Sequence, residues 1–286
     1  MTISNVKQLV DAELEGRVRR YTWRKTPSQV TTAGIWFDLA LSPGNPPPKY
    51  WFDAPPLIAK TITQSSDGGL FHGANVSPSE KYLRLTTSGT VTVTGLPMPM
   101  LLCDYLLYYP SCDDSVTDPQ VMDNTVTLPR YTDGKGVQVI AVSVAGRTGG
   151  QRFYFTYTNS DGVSGRTSQT VTQNAFSAIG TIVTSATATQ LSGNPFIGLQ
   201  DGDSGVRSIE SVTMLGADVG LFTLILVKPL AQTAIKEITA YYEKDYYIHG
   251  ASLPQIQDDA YLNWLCIPNG SLAATALIGD LKVIWN

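Results

Sequence analysis

Apolar and polar residues alternate along much of the chain, which is the spacing of strands whose two faces meet different surroundings. Phe153, Phe155 and Tyr157 alternate with polar or amphipathic neighbours, and the turn sequence Asn159–Gly162 follows. Further strands are predicted at Ile35–Leu41, Tyr50–Phe52, Met100–Tyr109, Val137–Val144, Thr181–Thr189, Arg207–Met214, Leu221–Val227, Tyr261–Ile267 and Leu281–Trp285. The last two are expected to form a closing pair. Thr86–Thr94 is predicted to be an edge strand or a hairpin. Strands spaced about ten residues apart without helical interludes predict a mainly β fold, an antiparallel β-sandwich of jelly-roll or immunoglobulin-like type.

The first residues follow a different, helical spacing. Ser4 or Asn5 can cap a short helix that ends at Gly16. Four apolar residues recur there at helical spacing: Val6, Leu9, Val10 and Leu14. Because an isolated helix of this length is marginally stable in water, this apolar stripe needs a surface to pack on. The β-domain or a neighbouring subunit could provide that surface.

Five cations follow the helix within nine residues: Arg17, Arg19, Arg20, Arg24 and Lys25. They surround Tyr21 and Trp23. The cluster is a solvated helix end, an arm that docks on an acidic neighbouring subunit, or a nucleic-acid contact that nothing else in the chain supports. We expect the arm, with Arg19, Arg20 and Trp23 in the contact. Residues 1–45 are therefore predicted to form a helix, a basic arm and a proline-rich linker. Residues 46–286 are predicted to form the β-sandwich region, with a possible internal boundary near residue 125.

Composition excludes several classes of function. Charged residues make up 15% of the 286 residues and the net charge is −4, which disfavours nucleic-acid binding because phosphates attract basic surfaces. We expect no secretory signal and no membrane span, since no apolar run approaches the required ~18 residues. The odd number of cysteines, at Cys103, Cys112 and Cys266, predicts reduced thiols rather than a disulfide framework.

One motif suggests catalysis. Gly202–Gly205 reads Gly-Asp-Ser-Gly, and His72, Asp104 and Ser204 follow the chain order of chymotrypsin-like proteases. Val206 replaces the second glycine of that signature, however, and the same residues are ordinary turn formers. We therefore expect a turn and no enzymatic activity. Two histidines and no spaced cysteines predict no zinc. Asp113, Asp114, Asp201 and Asp203 carry oxygen ligands suited to calcium, but the glutamate-closed loop of an EF-hand is absent, so we expect no metal. The sequence also lacks a phosphate-binding P-loop, and no cofactor is expected.

A dense tyrosine segment lies near the C-terminal end of the sequence. Its tyrosines are Tyr241, Tyr242, Tyr246 and Tyr247. Tyrosine is enriched at protein interfaces because its ring is buried while its hydroxyl finds a partner. The segment is predicted to be a subunit interface, with a sandwich core or a sugar-binding platform as the open alternatives.

Several short phrases of the sequence resemble uncharacterised virion proteins of tailed bacteriophages. The similar segments are 50–57, 96–100, 103–110, 128–134, 155–162 and 202–208. The resemblance covers most of the chain after residue 45 and includes no catalytic motif. It implies a structural component of the head or of the head–tail region.

The expected function is that of a capsid decoration or cement protein, or a minor head protein. Its expected partners are the major capsid protein, other virion subunits and further copies of itself. It would be made in the bacterial host cytoplasm and reside in the virion, with no membrane contact. The alternative is a tail- or fibre-associated protein that binds a receptor or glycan.

Overall fold

The computed structural model describes residues 3–175, 178–183, 194–250 and 252–286. The fold is mainly β, with three antiparallel sheets in a sandwich-like arrangement and a short N-terminal helix, and this confirms the predicted fold class. Within the described residues, the named strands pair with one another antiparallel, and one isolated bridge, Ile58↔Asp123, is parallel.

The helices are α1 (Val6–Leu14), α2 (Gln64–Asp67) and α3 (Tyr246–His249), and one 3-10 turn covers Leu39–Leu41. The strands are β1 (Val18–Lys25), β2 (Phe37–Asp38), β3 (Gly44–Asn45), β4 (Lys60–Thr61), β5 (Lys81–Thr90), β6 (Met98–Asp113), β7 (Gln120–Val121), β8 (Gln138–Ser143), β9 (Arg152–Asn159), β10 (Arg166–Thr167), β11 (Val171–Thr172), β12 (Val206–Met214), β13 (Leu221–Ile235), β14 (Tyr242–Asp245), β15 (Gln255–Ile256), β16 (Tyr261–Cys266) and β17 (Leu277–Trp285).

The strands form three sheets. The terminal sheet has the order β14-β5-β17-β1-β3, and β15 also pairs with β5. The central sheet has the order β2-β16-β6-β13-β8, and β4 also pairs with β6. The distal sheet has the order β10-β9-β12-β7, and β11 also pairs with β9.

The two longest strands, β6 and β13, connect the three hydrophobic cores. Met98 and Met100 at the start of β6 pack with the terminal sheet, whereas Tyr109 near its end packs with the distal sheet. Tyr105 and Ile225 line a third core beneath the loop that holds Trp51. The sixteen residues of β6 span on the order of 50 Å at ~3.3 Å per residue.

Most of the predicted strands are confirmed. β6 contains the predicted strand Met100–Tyr109, and Phe153, Phe155 and Tyr157 of β9 all point into the distal core. Of the predicted strand Thr181–Thr189, the part that follows Val183 lies outside the described residues. β16 and β17 form where predicted but belong to different sheets, so the expected closing pair is wrong.

The basic segment is a strand and not a detached arm. All eight residues of β1 pair with β17, and the register runs from Val18↔Ile284 to Lys25↔Leu277. Trp23 is buried beside Trp264, with 6.0 Å between ring centroids, so the prediction that it contacts a partner is wrong. The terminal sheet joins β1 and β3, which precede residue 46, to β5, β14, β15 and β17, which follow it. Its strands therefore come from both of the predicted regions, 1–45 and 46–286.

The two predicted strands that flank the proline-rich stretch are shorter than expected or absent. Strand β2 stops at Asp38, whose carboxylate accepts a hydrogen bond from the Ala40 amide (2.9 Å) and so caps the 3-10 turn. Tyr50–Phe52 lies in a turn, where the buried Trp51 indole donates to Asp38 (2.5 Å). A capping carboxylate and a tryptophan anchor therefore replace the predicted strands.

Asp38 is the centre of a buried polar network. Its carboxylate accepts four hydrogen bonds, including those from Tyr105 Oη (3.0 Å) and Asn263 Nδ2 (2.6 Å). Burial raises the pKa of Asp38, although the donors oppose this shift. The neighbouring Lys25 ammonium donates to the carbonyls of Ala40, Ser42 and Pro47, and burial lowers the pKa of Lys25 to about 8.

The Asp38→Ala variant should lose about 3 kcal/mol or more of unfolding free energy, because buried donors left without an acceptor cost about 1–3 kcal/mol each. Urea unfolding of the two proteins measures the loss. Asp118→Ala, at an exposed aspartate, is the matched control and should stay within about 0.5 kcal/mol of the parent. Equal losses in both variants would contradict the role of Asp38.

Two truncations distinguish the helix from the strand. Deletion of residues 1–16 removes α1 but leaves β1, so we expect cooperative thermal unfolding at a lower temperature. Deletion of residues 1–25 removes a whole strand and exposes β17, so cooperative unfolding should be lost. Circular dichroism melts of both proteins check this, and identical melts would contradict the placement of β1 in the core.

Candidate interaction surfaces

The three residues of the protease-like order have separate partners. His72 is buried; its Nε2 donates to the carbonyl of Ala260 (2.9 Å), which leaves Nδ1 to accept from the Lys81 ammonium (3.1 Å). Burial and then the charge of Lys81 lower the pKa of His72 to about 4. A catalytic histidine instead faces a serine on one nitrogen and a carboxylate on the other.

Asp104 and Ser204 are equally committed elsewhere. Asp104 accepts two hydrogen bonds from Arg130 (2.9 and 2.7 Å) and one from the Tyr261 amide. The Ser204 hydroxyl is 2.9 Å from that of Ser160, in a turn where Gly202 has φ of +89°. The geometry is that of a turn, as the sequence predicts for Gly202–Gly205.

The cysteine thiols are buried and unpaired. Cys103, Cys112 and Cys266 are all free and buried. Burial raises the pKa of Cys112 to about 12, which disfavours the reactive thiolate. In the described ranges, no group of three or more metal-ligating side chains is placed to hold a metal ion. No helix within those ranges is long and apolar enough to span a membrane.

Helix α1 buries only part of its predicted stripe. Asn5 caps the helix by accepting from the Gln8 amide (2.9 Å), and Leu9 and Ala12 pack into the core that includes β17. The other three apolar residues face outward, with exposed fractions of 57% for Val6, 46% for Val10 and 81% for Leu14. We call these three residues the helix stripe. Their i, i+4, i+8 spacing makes them one continuous apolar line on the surface.

The predicted contact residues Arg19 and Arg20 lie on the surface of β1. Arg20 reaches Asp280 (3.4 Å), whereas the Arg19 guanidinium lies over the Trp285 ring, 5.7 Å from its centroid. Arg24, on the same face as Arg20, is exposed and has no ion pair in the described part of the chain. β1 therefore exposes Arg20 and Arg24 on one face and buries Trp23 and Lys25 on the other, where Arg19 is exposed near the end of the strand.

The tyrosine segment is divided between core and surface. Tyr246 is buried, with its hydroxyl 3.1 Å from that of Thr86, which corrects its predicted role in partner binding. Tyr242 and Tyr247 are half-buried, and Tyr241 is 62% exposed. The Tyr241 ring lies over Gly89, where an added Cβ would be 3.0 Å from it.

Tyr241 belongs to an apolar surface that the sequence did not predict. Val91, Val93 and Ile238 are also exposed at this end of the terminal sheet. A small cavity of about 170 Å³ beside Tyr241 is lined by Val91, Thr239, Ala240 and Ile278 among others. The alternation in Thr86–Thr94 predicted an edge strand or hairpin, but β5 ends at Thr90 and leaves the two valines on a loop.

His72 should make stability depend on pH. The unfolded chain binds a proton at His72 with the ordinary pKa of 6.5, whereas burial lowers the pKa of His72 in the folded chain to about 4. The unfolded state therefore binds the proton first as the pH falls. The stabilisation that is present above pH 6.5 is lost as the pH falls towards 4. Between pH 7 and 4.5 the His72→Gln variant should lose about 2.5 kcal/mol less unfolding free energy than the parent. His249→Gln, at an exposed histidine, should keep the parent's dependence. Parallel urea-unfolding curves for all three proteins would contradict the prediction.

Comparisons with known proteins identify no relative by sequence: no family model and no curated protein matches the chain. Among solved structures, a mutant VP2 protein of infectious bursal disease virus in derived T=1 particles is 12% identical to this chain, with a TM-score of 0.15. The alignment covers 94% of this chain and 78% of the VP2 chain. The Gx strain of the same virus is 11% identical with a TM-score of 0.13, covering 94% and 81%. At these TM-scores the similarities support no conclusion about the chain.

Proposed function

We propose that this chain is a structural protein of a bacteriophage virion, a capsid decoration or cement protein or a minor head protein, that has no enzymatic activity. The observation that carries the proposal is the helix stripe: Val6, Val10 and Leu14 are exposed on a helix whose other side is anchored in the core. The resemblance of residues 50–57 and the later segments to phage virion proteins supports the same assignment.

The helix stripe is suited to contact between subunits. Full burial of a valine or leucine side chain contributes about 1.5–3 kcal/mol, so three such residues give a useful contact before ordering costs are subtracted. Here those costs are small, because the Asn5 cap and the burial of Leu9 and Ala12 already hold α1 in its helical form. In this proposal a neighbouring virion subunit, such as the major capsid protein, covers the stripe.

A second candidate is a receptor- or glycan-binding protein of the tail or fibre. Tyr50 and Phe52 favour it, since both rings are half exposed and their centroids are 5.5 Å apart. Exposed aromatic rings next to polar groups suit the apolar faces and hydroxyls of a sugar. The carboxylate of Asp53 and the ammonium of Lys60 lie beside this loop and could supply the polar contacts.

Aspartate substitutions at Val10 and Leu14 should reduce incorporation of the chain into virions at least about tenfold, because a charge in an apolar contact is left unpaired. The readout is the amount of chain in purified particles, with circular dichroism confirming the fold. Val163→Asp is the matched control, since Val163 is a comparably exposed valine on the distal sheet side. It should assemble normally.

Two outcomes would contradict this assignment. Normal incorporation of the Val10→Asp, Leu14→Asp double variant would exclude the helix stripe as the contact. Loss of adsorption to host cells by Tyr50→Ala with Phe52→Ala, in particles that contain a normal amount of the chain, would favour the tail or fibre function.

A further inference from the structure

Two short segments of opposite charge stand out from an otherwise balanced sequence. Residues 17–25 carry five cations and no acidic residue. Residues 113–123, which we call the acidic loop, carry four aspartates and no cation. The net charge of the whole chain is −4, which equals the charge of the acidic loop alone. The positive and negative charges of all other residues together therefore sum to zero.

The fold keeps these segments apart. β1 packs near the start of β6, because Trp23 shares a core with Met98 and Met100. The acidic loop begins at Asp113, where β6 ends. Trp23 contacts Trp264, the strand partner of Leu102, so the part of β6 from Leu102 to Asp113 separates the two segments by on the order of 35 Å. At that distance they form no ion pairs with each other within one molecule.

Both segments present exposed charges that form no close ion pair in the described part of the chain. On β1, Arg19 and Arg24 have no ion pair in the described ranges, and Arg20 has only the long contact with Asp280. On the acidic loop, Asp118 and Asp123 are exposed and likewise lack an ion pair among the described residues. The loop's fourth aspartate, Asp114, is buried beside Arg147 and takes no part in its surface; Asp113 is half-buried.

The shape of each surface also suits docking. One edge of β1 pairs with β17 throughout, but on the other edge β3 pairs only with Arg24 and Lys25, which leaves Val18–Trp23 without a strand partner in the described chain. Such an open edge offers backbone groups to an incoming segment. We call this open edge, together with its Arg19 and Arg20 and the adjoining Arg24, the basic edge.

The acidic loop is held in a fixed shape by one side chain. The Gln120 amide accepts from the Asp113 amide and donates to the Asp113 carbonyl, both at 2.8 Å. It also reaches the Val116 carbonyl (3.4 Å). Val116 and Val121 are exposed beside the aspartates, so the loop offers apolar contact as well as charge.

We infer that copies of this chain associate head to tail, with the basic edge of one copy against the acidic loop of the next. Pairing of two basic edges is disfavoured, because like charges on facing strands repel. A contact between two different surfaces leaves one of each free at the ends, so it builds a ring or an open array rather than a closed dimer. The inference rests on the charge layout and holds whether or not the chain is a virion protein.

Sedimentation velocity at two salt concentrations gives the first test. The screening length falls from roughly 30 Å at about 10 mM to roughly 3 Å at about 1 M ionic strength, so the purified chain should form oligomers at low salt and monomers at high salt. A chain that stays monomeric at low salt at every concentration reached would overturn the inference.

Charge reversal identifies the surfaces. Arg20→Glu with Arg24→Glu should abolish association, and so should Asp118→Lys with Asp123→Lys. Each variant then carries two surfaces of the same sign, so a mixture of the two should associate again, as should the single chain with all four changes. Arg152→Glu with Asp161→Lys, at exposed positions outside both surfaces, is the matched control and should behave as the parent.

The outcomes separate this inference from the proposed function. Variants that associate as the parent does, or a mixture that stays monomeric, would show that the basic edge and the acidic loop are not mutual partners. A chain that passes the charge-reversal test but never enters particles would refute the virion function and leave the head-to-tail contact standing.

Discussion

The ladder between β6 and β13 is the constraint on which the rest of the structure depends. These two strands supply side chains to all three cores, and each carries a different neighbour on its outer edge, β16 beside β6 and β8 beside β13. The terminal sheet covers the ladder near the start of β6, and the distal sheet covers the other end. Separating the ladder would therefore expose all three cores together. The Asp38 network strengthens the same region, because it joins Tyr105 of β6 and Asn263 of β16 to the loop that carries Trp51.

The sequence predicts strands well where alternation is regular and poorly where a distant partner decides. The burial of Phe153, Phe155 and Tyr157 could be predicted from the sequence, because apolar residues occupy every second position there. β1 gives no such signal: four of its eight residues are charged, and its strand is stabilised by β17, which lies more than 250 residues later. The same limit applies to Tyr246, whose burial depends on contact with Thr86.

For the candidate surfaces, the sequence indicates which residue types are present but not which way their side chains point. The helical spacing of α1 was correct, yet the side that packs is set by Leu9 and the small Ala12, which a count of large apolar residues overlooks. The charge of the basic cluster could be seen in the sequence. Which of its side chains are exposed, such as Arg20 and Arg24, and which are buried, such as Trp23 and Lys25, is set by the pairing of β1 in a sheet. The buried His72 could be understood only with Lys81 and Ala260 in place.

The pairing of β1 with β17 also matters while the chain is being made. β1 leaves the ribosome early, but its ladder partner does not exist until residues 277–285 have been synthesised. During that time β1 is an unpaired strand, the kind of segment that aggregates with other chains. Its cations would repel the same segment of a neighbouring nascent chain, as charged gatekeeper residues do beside aggregation-prone strands. The charge of β1 would thus also oppose aggregation until β17 has been synthesised.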